Sequence, residues 1–133
     1  MLYRPALLLG TLTAALSVIL GAFGAHALKE TLTPELLQTF ETGVRYQFYH
    51  AVALLFIGLL HAYLPVKLLR TSTILFAIGI ALFSGSIYAL VALKSGGVGL
   101  GPVGILTPVG GLFLIAGWLC LAWACTQIPK KTP

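Results

Sequence analysis

The sequence predicts an all-α membrane protein: a four-transmembrane-helix bundle with a short amphipathic surface helix between spans one and two. Three observations predict it. Charged residues are 8% of the 133 residues and apolar residues 59%, whereas a soluble domain carries roughly 25% charged residues. The eight basic and three acidic residues are segregated, leaving residues 5–28, 46–66, 71–93 and 95–129 free of Asp, Glu, Lys and Arg. Each of these runs is at least as long as the about 20 apolar residues that carry a helix across the hydrocarbon core. Prolines, glycines and charges punctuate the chain between the runs. Together these features exclude a soluble globular domain, a disordered chain and a disulfide scaffold. One integral membrane domain is expected over residues 1–133, with spans at about 5–27, 45–64, 71–93 and 105–128.

Span one opens with Pro5, which suits a first helical turn because its missing N–H would be unpaired there anyway. Arg4 ahead of an apolar run, with Ala25-His26-Ala27 as a small-x-small triplet, also fits a signal peptide. The run exceeds the 7–15 residues of a signal-peptide apolar region, however, and reads as a span. Ser17, Gly21 and Ala25 recur every four residues, the pattern that lets helices approach closely in lipid; a ligand groove along this face is the alternative. Residues 28–45 form the one polar stretch. Thr33 can cap a helix that opens with Pro34 and Glu35. Leu36, Phe40 and Val44 follow at four-residue spacing, with polar residues elsewhere. This segment, residues 34–43, is expected to lie on the membrane surface or over the bundle.

Span two begins with the aromatic and polar group Tyr46, Gln47, Tyr49 and His50, and ends with His61 and Tyr63. Aromatic residues at both ends fit the interfacial belts. Pro65 stops the helix, and a six-residue link, residues 65–70, makes spans two and three an antiparallel pair. In span three Ala81, Gly85 and Ala89 repeat every four residues, a second expected close-packing face. Ser84 and Ser86 beside it are expected to bond back to the preceding turn; a polar transport path is the alternative. Residues 95–111 hold seven glycines and two prolines and read as a glycine-rich loop leading into span four.

With four spans, the N-terminus, the second link and the C-terminus share one side. That side carries Arg4, Lys67, Arg70, Lys130 and Lys131, against Lys29, Arg45 and Lys94 on the other. The positive-inside rule then puts both termini in the cytoplasm. No basic run is long enough for a nucleic-acid arm. Cys120 and Cys125 lie too far apart along one helix to be bridged.

Few residues offer chemistry. Gly99-Leu100-Gly101-Pro102-Val103-Gly104 matches G-x-G-x-x-G, but the dinucleotide fingerprint needs a preceding strand and an acid about 20 residues on. The chain contains no Asp, and no Glu after Glu41, so no nucleotide is expected. No carboxylate lies in the middle of a span, which argues against proton-coupled export. His26 at the end of span one and His50 near the start of span two fall on the same side. Tyr46 and Gln47 share a helix stripe with His50. His26, Tyr46, Gln47 and His50 are therefore expected to meet as one polar cluster near the outer interface. They form either a hydrogen-bonded brace between spans one and two or a binding site. Two histidines alone are a sparse ligand set for metal, so haem, metal or quinone binding through His26 and His50 stands as an alternative. No catalytic set is visible.

Gly21-Ala22-Phe23-Gly24-Ala25-His26-Ala27-Leu28 resembles the hallmark of the YgdD-like bacterial inner-membrane family, known as domain of unknown function 423 and related to the eukaryotic transmembrane protein 256. Tyr46-Gln47-Phe48-Tyr49-His50-Ala51, Phe83-Ser84-Gly85-Ser86-Ile87-Tyr88, Thr107-Pro108-Val109-Gly110-Gly111 and Gly117-Trp118 resemble its later motifs, in order and spacing. The resemblance implies a small multi-pass protein of the bacterial plasma membrane. It transfers no activity, substrate or catalytic residue. It marks His26, Tyr46, Gln47 and His50 as motif positions, with Ser84, Gly85, Ser86 and Tyr88 as a secondary set.

The function expected is therefore a non-enzymatic binding or accessory role, with no cofactor, toward a lipid of the bilayer or a partner membrane protein or second copy. Its working surface would be the polar cluster and residues 34–43. A small transporter or channel using Ser84 and Ser86 is a further alternative.

Overall fold

The structure, a computed structural model, describes residues 1–99 and 101–128. Four long helices follow one another: α1 (Arg4–His26), α2 (Pro34–Leu60), α3 (Lys67–Ser95) and α4 (Val103–Thr126), with one 3-10 turn at Leu28–Glu30 between α1 and α2. No strand occurs among the described residues. All four helices are long and apolar enough to cross a membrane. Lys130 and Lys131, counted above toward the charge of the terminal side, lie outside the described residues.

Each neighbour pair is antiparallel. Gly24 of α1 meets Phe40 of α2, while Leu7 meets Gly58. Gly43 of α2 meets Ile87 and Tyr88 of α3, and His50 stands by Phe76. Gly79 of α3 meets Leu114 of α4, and Gly110 meets the backbone of Phe83. The chain thus runs up, down, up and down. α3 packs most extensively on α4 and α1 on α2, and the α2–α3 contact joins the two pairs.

The helices interlock through glycine notches, because close approach in lipid is gained by packing and not by hydrophobic exclusion. A Cβ on Gly117 would stand 2.6 Å from the Phe76 ring, and one on Gly58 would stand 2.6 Å from Leu7. A Cβ on Gly110 would collide with the Phe83 backbone. On α4 the buried residues Gly110, Leu114, Gly117, Leu121 and Ala124 alternate steps of four and three, the seam of a 3-4 helix packing. On the opposite faces Leu8, Leu12, Leu16, Ile19, Leu112, Ile115 and Leu119 are exposed, as a lipid-facing surface requires.

Three expectations are corrected. The segment 34–43 is no separate surface helix: it forms the first turns of α2, which runs unbroken for 27 residues. Thr33 caps it as expected, its hydroxyl accepting the Leu36 N–H at 3.4 Å. Nothing between Pro34 and Leu60 breaks it, since Gly43 is tolerated in a helix and lies buried against α3. The small-residue stripe of span three faces outward. Ala81, Gly85 and Ala89 are exposed, and a Cβ on Gly85 would meet nothing within 4 Å. The packing face is the neighbouring stripe through Gly79, Ser84, Ser86 and Ile87. On α1, Ser17 is buried and Gly21 faces Val44, but Ala25 is exposed and Gly24 takes the buried position.

The links follow from local rules. α3 ends in a Schellman motif: Val98 N–H reaches Leu93 C=O and Gly97 N–H reaches Lys94 C=O. This motif needs a left-handed residue, which Gly97 supplies at φ 72°. The link between α2 and α3 covers residues 61–66, because Lys67–Arg70 already belong to α3. At the terminal end Tyr3 N–H donates to Gly58 C=O at 3.1 Å. His61 Nδ1–H donates to Met1 C=O at 3.2 Å. The Tyr3 ring stacks on His61 and carries the Arg70 guanidinium 5.7 Å from its centroid.

Candidate functional site

α2 is the hub of the polar groups. Tyr46 and Gln47 lie one turn before His50 on it, and the cluster's partners come from every other helix. The Gln47 side-chain N–H donates to Thr13 C=O on α1 at 3.2 Å. Its carbonyl accepts the Tyr88 hydroxyl of α3 at 3.0 Å. The Trp118 indole N–H of α4 donates to His50 Nε2 at 3.0 Å. An indole nitrogen can only donate, so Nε2 is the acceptor and Nδ1 carries the proton. Nδ1–H in turn donates to Tyr46 C=O at 2.7 Å. Both ring nitrogens of His50 are thereby committed in a neutral imidazole.

Tyr46 is 41% exposed and stacks on Phe83 with ring centroids 4.6 Å apart. It contributes a carbonyl and a ring to the cluster. Ser84 donates across to Gly43 C=O at 2.8 Å, not back along its own helix. Ser86 does bond back, to Phe83 C=O at 3.0 Å, and pairs with the Thr107 hydroxyl at 2.6 Å. Ser72 adds a further bond from α3 to Gly117 C=O on α4 at 2.8 Å. Among the described residues, every buried side-chain nitrogen and oxygen has a partner.

The structure brings together Tyr46, Gln47, His50, Ser84 and Tyr88, but not His26. His26 is exposed at the end of α1, beside Lys29 and Glu30. The register sets Gly24 opposite Phe40, and Phe40 lies ten residues before His50, or about 15 Å of helix rise. The single cluster expected from His26 and His50 therefore does not form. The reason is the continuity of α2. Its first residue at the membrane end is Pro34, so His50 lies four turns down the helix while His26 stays at the rim. One site cannot use both histidines.

The small-residue face of span one, read in the sequence as a close contact or a ligand groove, borders a groove. This groove runs down the outside of the α1–α2 seam. Its upper part, about 260 Å³, is lined by Gly21, Gly24, Phe40, Glu41, Val44 and Arg45. A second cavity of about 300 Å³ shares Val44 and Arg45 and continues past Ser17, Phe48 and Tyr49. Gly21, Gly24 and Ser17 keep most of the α1 wall small, with Val18 the one branched side chain on it, and the lower part is lined by apolar atoms alone. Glu41 lines the upper part, and Arg45 stands where the two parts meet. The Arg45 guanidinium comes within 3.9 Å of the Glu41 carboxylate, and both side chains are half exposed. Two signals in the sequence pointed here: the small residues of α1, and the one cation within residues 31–66.

Comparison with known proteins fits the chain to a family by sequence. Residues 20–111 match the family described as a protein of unknown function, DUF423. A UPF0382 membrane protein of Staphylococcus haemolyticus is 37% identical over 86% of this chain and 89% of its own length. The UPF0382 membrane protein YwdK of Bacillus subtilis is 36% identical over 91% of this chain and 95% of its own. A UPF0382 membrane protein of Haemophilus influenzae is 39% identical over 88% of this chain and 90% of its own. No solved structure matches the chain.

Proposed function

We propose, for a chain that belongs to the DUF423 family of multi-pass membrane proteins, a non-enzymatic accessory role in which the α1–α2 groove holds one membrane phospholipid. The observation that carries this reading is the groove itself, apolar in its lower part and flanked above that part by the Glu41–Arg45 pair. An acyl chain fits the lower part chemically, and the charged pair suits a headgroup. Gln47, His50, Ser84 and Tyr88 are spent on interhelical bonds and His26 stands apart from them at the rim, whereas the groove combines apolar and charged lining.

The orientation that goes with this role has both termini in the cytoplasm of a bacterial inner membrane. In the sequence Arg4, Lys67, Arg70, Lys130 and Lys131 belong to the terminal side and Lys29, Arg45 and Lys94 to the other, a bias of five against three that favours the terminal side inside. The groove's charged pair then faces the outer leaflet.

Photo-crosslinking tests the role. A phospholipid with a diazirine on its acyl chain is incorporated into nanodiscs with the protein. Labelled peptides are expected to concentrate in residues 17–24 and 40–49, above the exposed face of α4. Gly21→Leu fills the groove, because a Cβ there meets only Val44 at 3.7 Å, and is expected to abolish that enrichment. Labelling spread evenly over all lipid-facing helices overturns the reading, as does a stable complex in which a second membrane protein covers the groove.

A further inference from the structure

We infer that the groove selects a zwitterionic phospholipid whose headgroup carries a primary ammonium beside its phosphate, with Glu41 receiving the ammonium and Arg45 the phosphate. This rests on the lipid-binding reading above and specifies its ligand. Glu41 and Arg45 lie four residues apart on one face of α2, lining the same groove. Opposite charges side by side make a fixed dipole. An anionic headgroup would satisfy Arg45 but be repelled by Glu41. A headgroup with an ammonium two carbons from its phosphate satisfies both.

Their own contact is loose enough to admit a ligand. The closest approach is 3.9 Å, the limit of an ion pair, and both side chains are more than half exposed. Such pairs hold little energy of their own. The Arg45 Nε–H already donates to Glu41 C=O at 3.3 Å. That bond orients the guanidinium and leaves its terminal N–H groups, the fork that suits a phosphate.

Depth agrees with headgroup chemistry. α2 has 27 residues and is therefore about 40 Å long, some 10 Å more than a hydrocarbon core of roughly 30 Å. With Leu60 at the far border, about seven residues at its start project past the near border. Glu41 then sits at that border and Arg45 one turn below it, within the reach of a long side chain that snorkels upward. The apolar part of the groove begins at this level and runs into the membrane beside Ser17 and Phe48.

A primary ammonium can donate hydrogen bonds to a carboxylate, whereas a trimethylated one cannot. Discrimination between the two separates this pairing from general lipid adhesion. The test is native mass spectrometry of the full-length protein released from nanodiscs holding equal amounts of phosphatidylethanolamine, phosphatidylcholine and phosphatidylglycerol. Retained phosphatidylethanolamine is expected to exceed each of the others by about tenfold. Glu41→Gln is expected to erase that preference and raise phosphatidylglycerol. Arg45→Gln is expected to lower retention of all three. Both variants alter exposed side chains, and unchanged melting temperatures would confirm that they fold. Preference for phosphatidylglycerol in the unaltered protein, or equal retention of ethanolamine and choline lipids, overturns the headgroup assignment while acyl labelling of the groove still stands. Loss of that labelling overturns the underlying lipid-binding role as well.

Discussion

The indole N–H of Trp118 donates to Nε2 of His50 at 3.0 Å, tying α4 to α2 across the bundle. The contact is reinforced by geometry, since both rings also pack on Phe76, with centroids 5.2 and 5.3 Å away. It fixes the protonation pattern of the imidazole and takes His50 out of the set of free ligands. Trp118→Phe keeps the ring packing but leaves Nε2 without its donor. It is expected to destabilise the protein by about 1–2 kcal/mol, the range for interhelical polar contacts in membranes. Thermal unfolding in detergent measures this. Nitrogen-15 NMR of labelled histidine should show one neutral His50 with its proton on Nδ1; a proton on Nε2 would contradict the bond.

Gln47 links three helices through one amide. Removing Tyr88's hydroxyl by Tyr88→Phe leaves the Gln47 carbonyl unpaired where Gln47 is only 3% exposed. The expected cost is about 1–2 kcal/mol. Gln47→Leu removes both of its bonds, while Thr13 C=O keeps the Ser17 hydroxyl at 2.9 Å. The two substitutions share a partner, so the double variant should be less destabilised than the sum of the singles. A double-mutant cycle on unfolding reads this directly. Strict additivity would mean that the Gln47–Tyr88 bond contributes nothing.

The glycines give opposite expectations from the same residue type. Gly110→Ala drives a Cβ into the Phe83 backbone, which cannot yield as a flexible side chain could. It is expected to cost at least the about 1–3 kcal/mol of an overpacked core and to reduce the yield of folded protein. Gly85→Ala places its methyl in open space and should be neutral or stabilising by up to about 1 kcal/mol, the helix preference of alanine over glycine. The pair is compared by melting temperature in one detergent. A damaging Gly85→Ala would show that the outward stripe of α3 is covered in the membrane.

The contrast at Gly85 marks how far the sequence can be read. Four spans were legible because charge is excluded from hydrocarbon, and eleven charges leave four gaps. The Thr33 cap was legible because it is local chemistry, whereas α2 ends at Leu60, ahead of the stop expected at Pro65. Facing was not. α1 and α4 are apolar all round, so hydrophobic periodicity carries no signal of which side is buried, and small residues are the remaining cue. On α3 two stripes compete, through Gly79 and through Gly85. Only the partner helices decide between them: Leu114 needs the notch at Gly79, while nothing approaches Gly85.

The polar cluster was half legible for a related reason. Tyr46, Gln47 and His50 share a stripe of one helix, and that much follows from spacing. Their depth depended on where α2 begins. Placing the span's start at Arg45 put His50 at the rim beside His26, whereas the unbroken helix from Pro34 puts it about 15 Å below Phe40. The partners Thr13 and Trp118 lie on other helices at separations of 34 and 68 residues, and no pattern within one helix announces them. Arg45 and Glu41 were legible as charges but not as part of a groove's lining, because the groove exists only once α1 lies alongside.

Ser84 and Ser86 supply the last test, because a water-accessible path and a packing role predict different reactivity. Both are nearly inaccessible, at 1% and 4% exposure. Their hydroxyls are engaged by Gly43 C=O, Phe83 C=O and Thr107. Cysteine substituted at either position, in a background with Cys120 and Cys125 replaced by alanine, should resist a charged, membrane-impermeant thiol reagent added from either side. A cysteine at exposed Lys94 serves as the reactive control. Rapid modification at position 84 or 86 would reveal water between α2, α3 and α4 and restore the transport reading. Protection, together with a stability loss of about 1 kcal/mol in Ser84→Ala, would assign the serine to the α2–α3 contact.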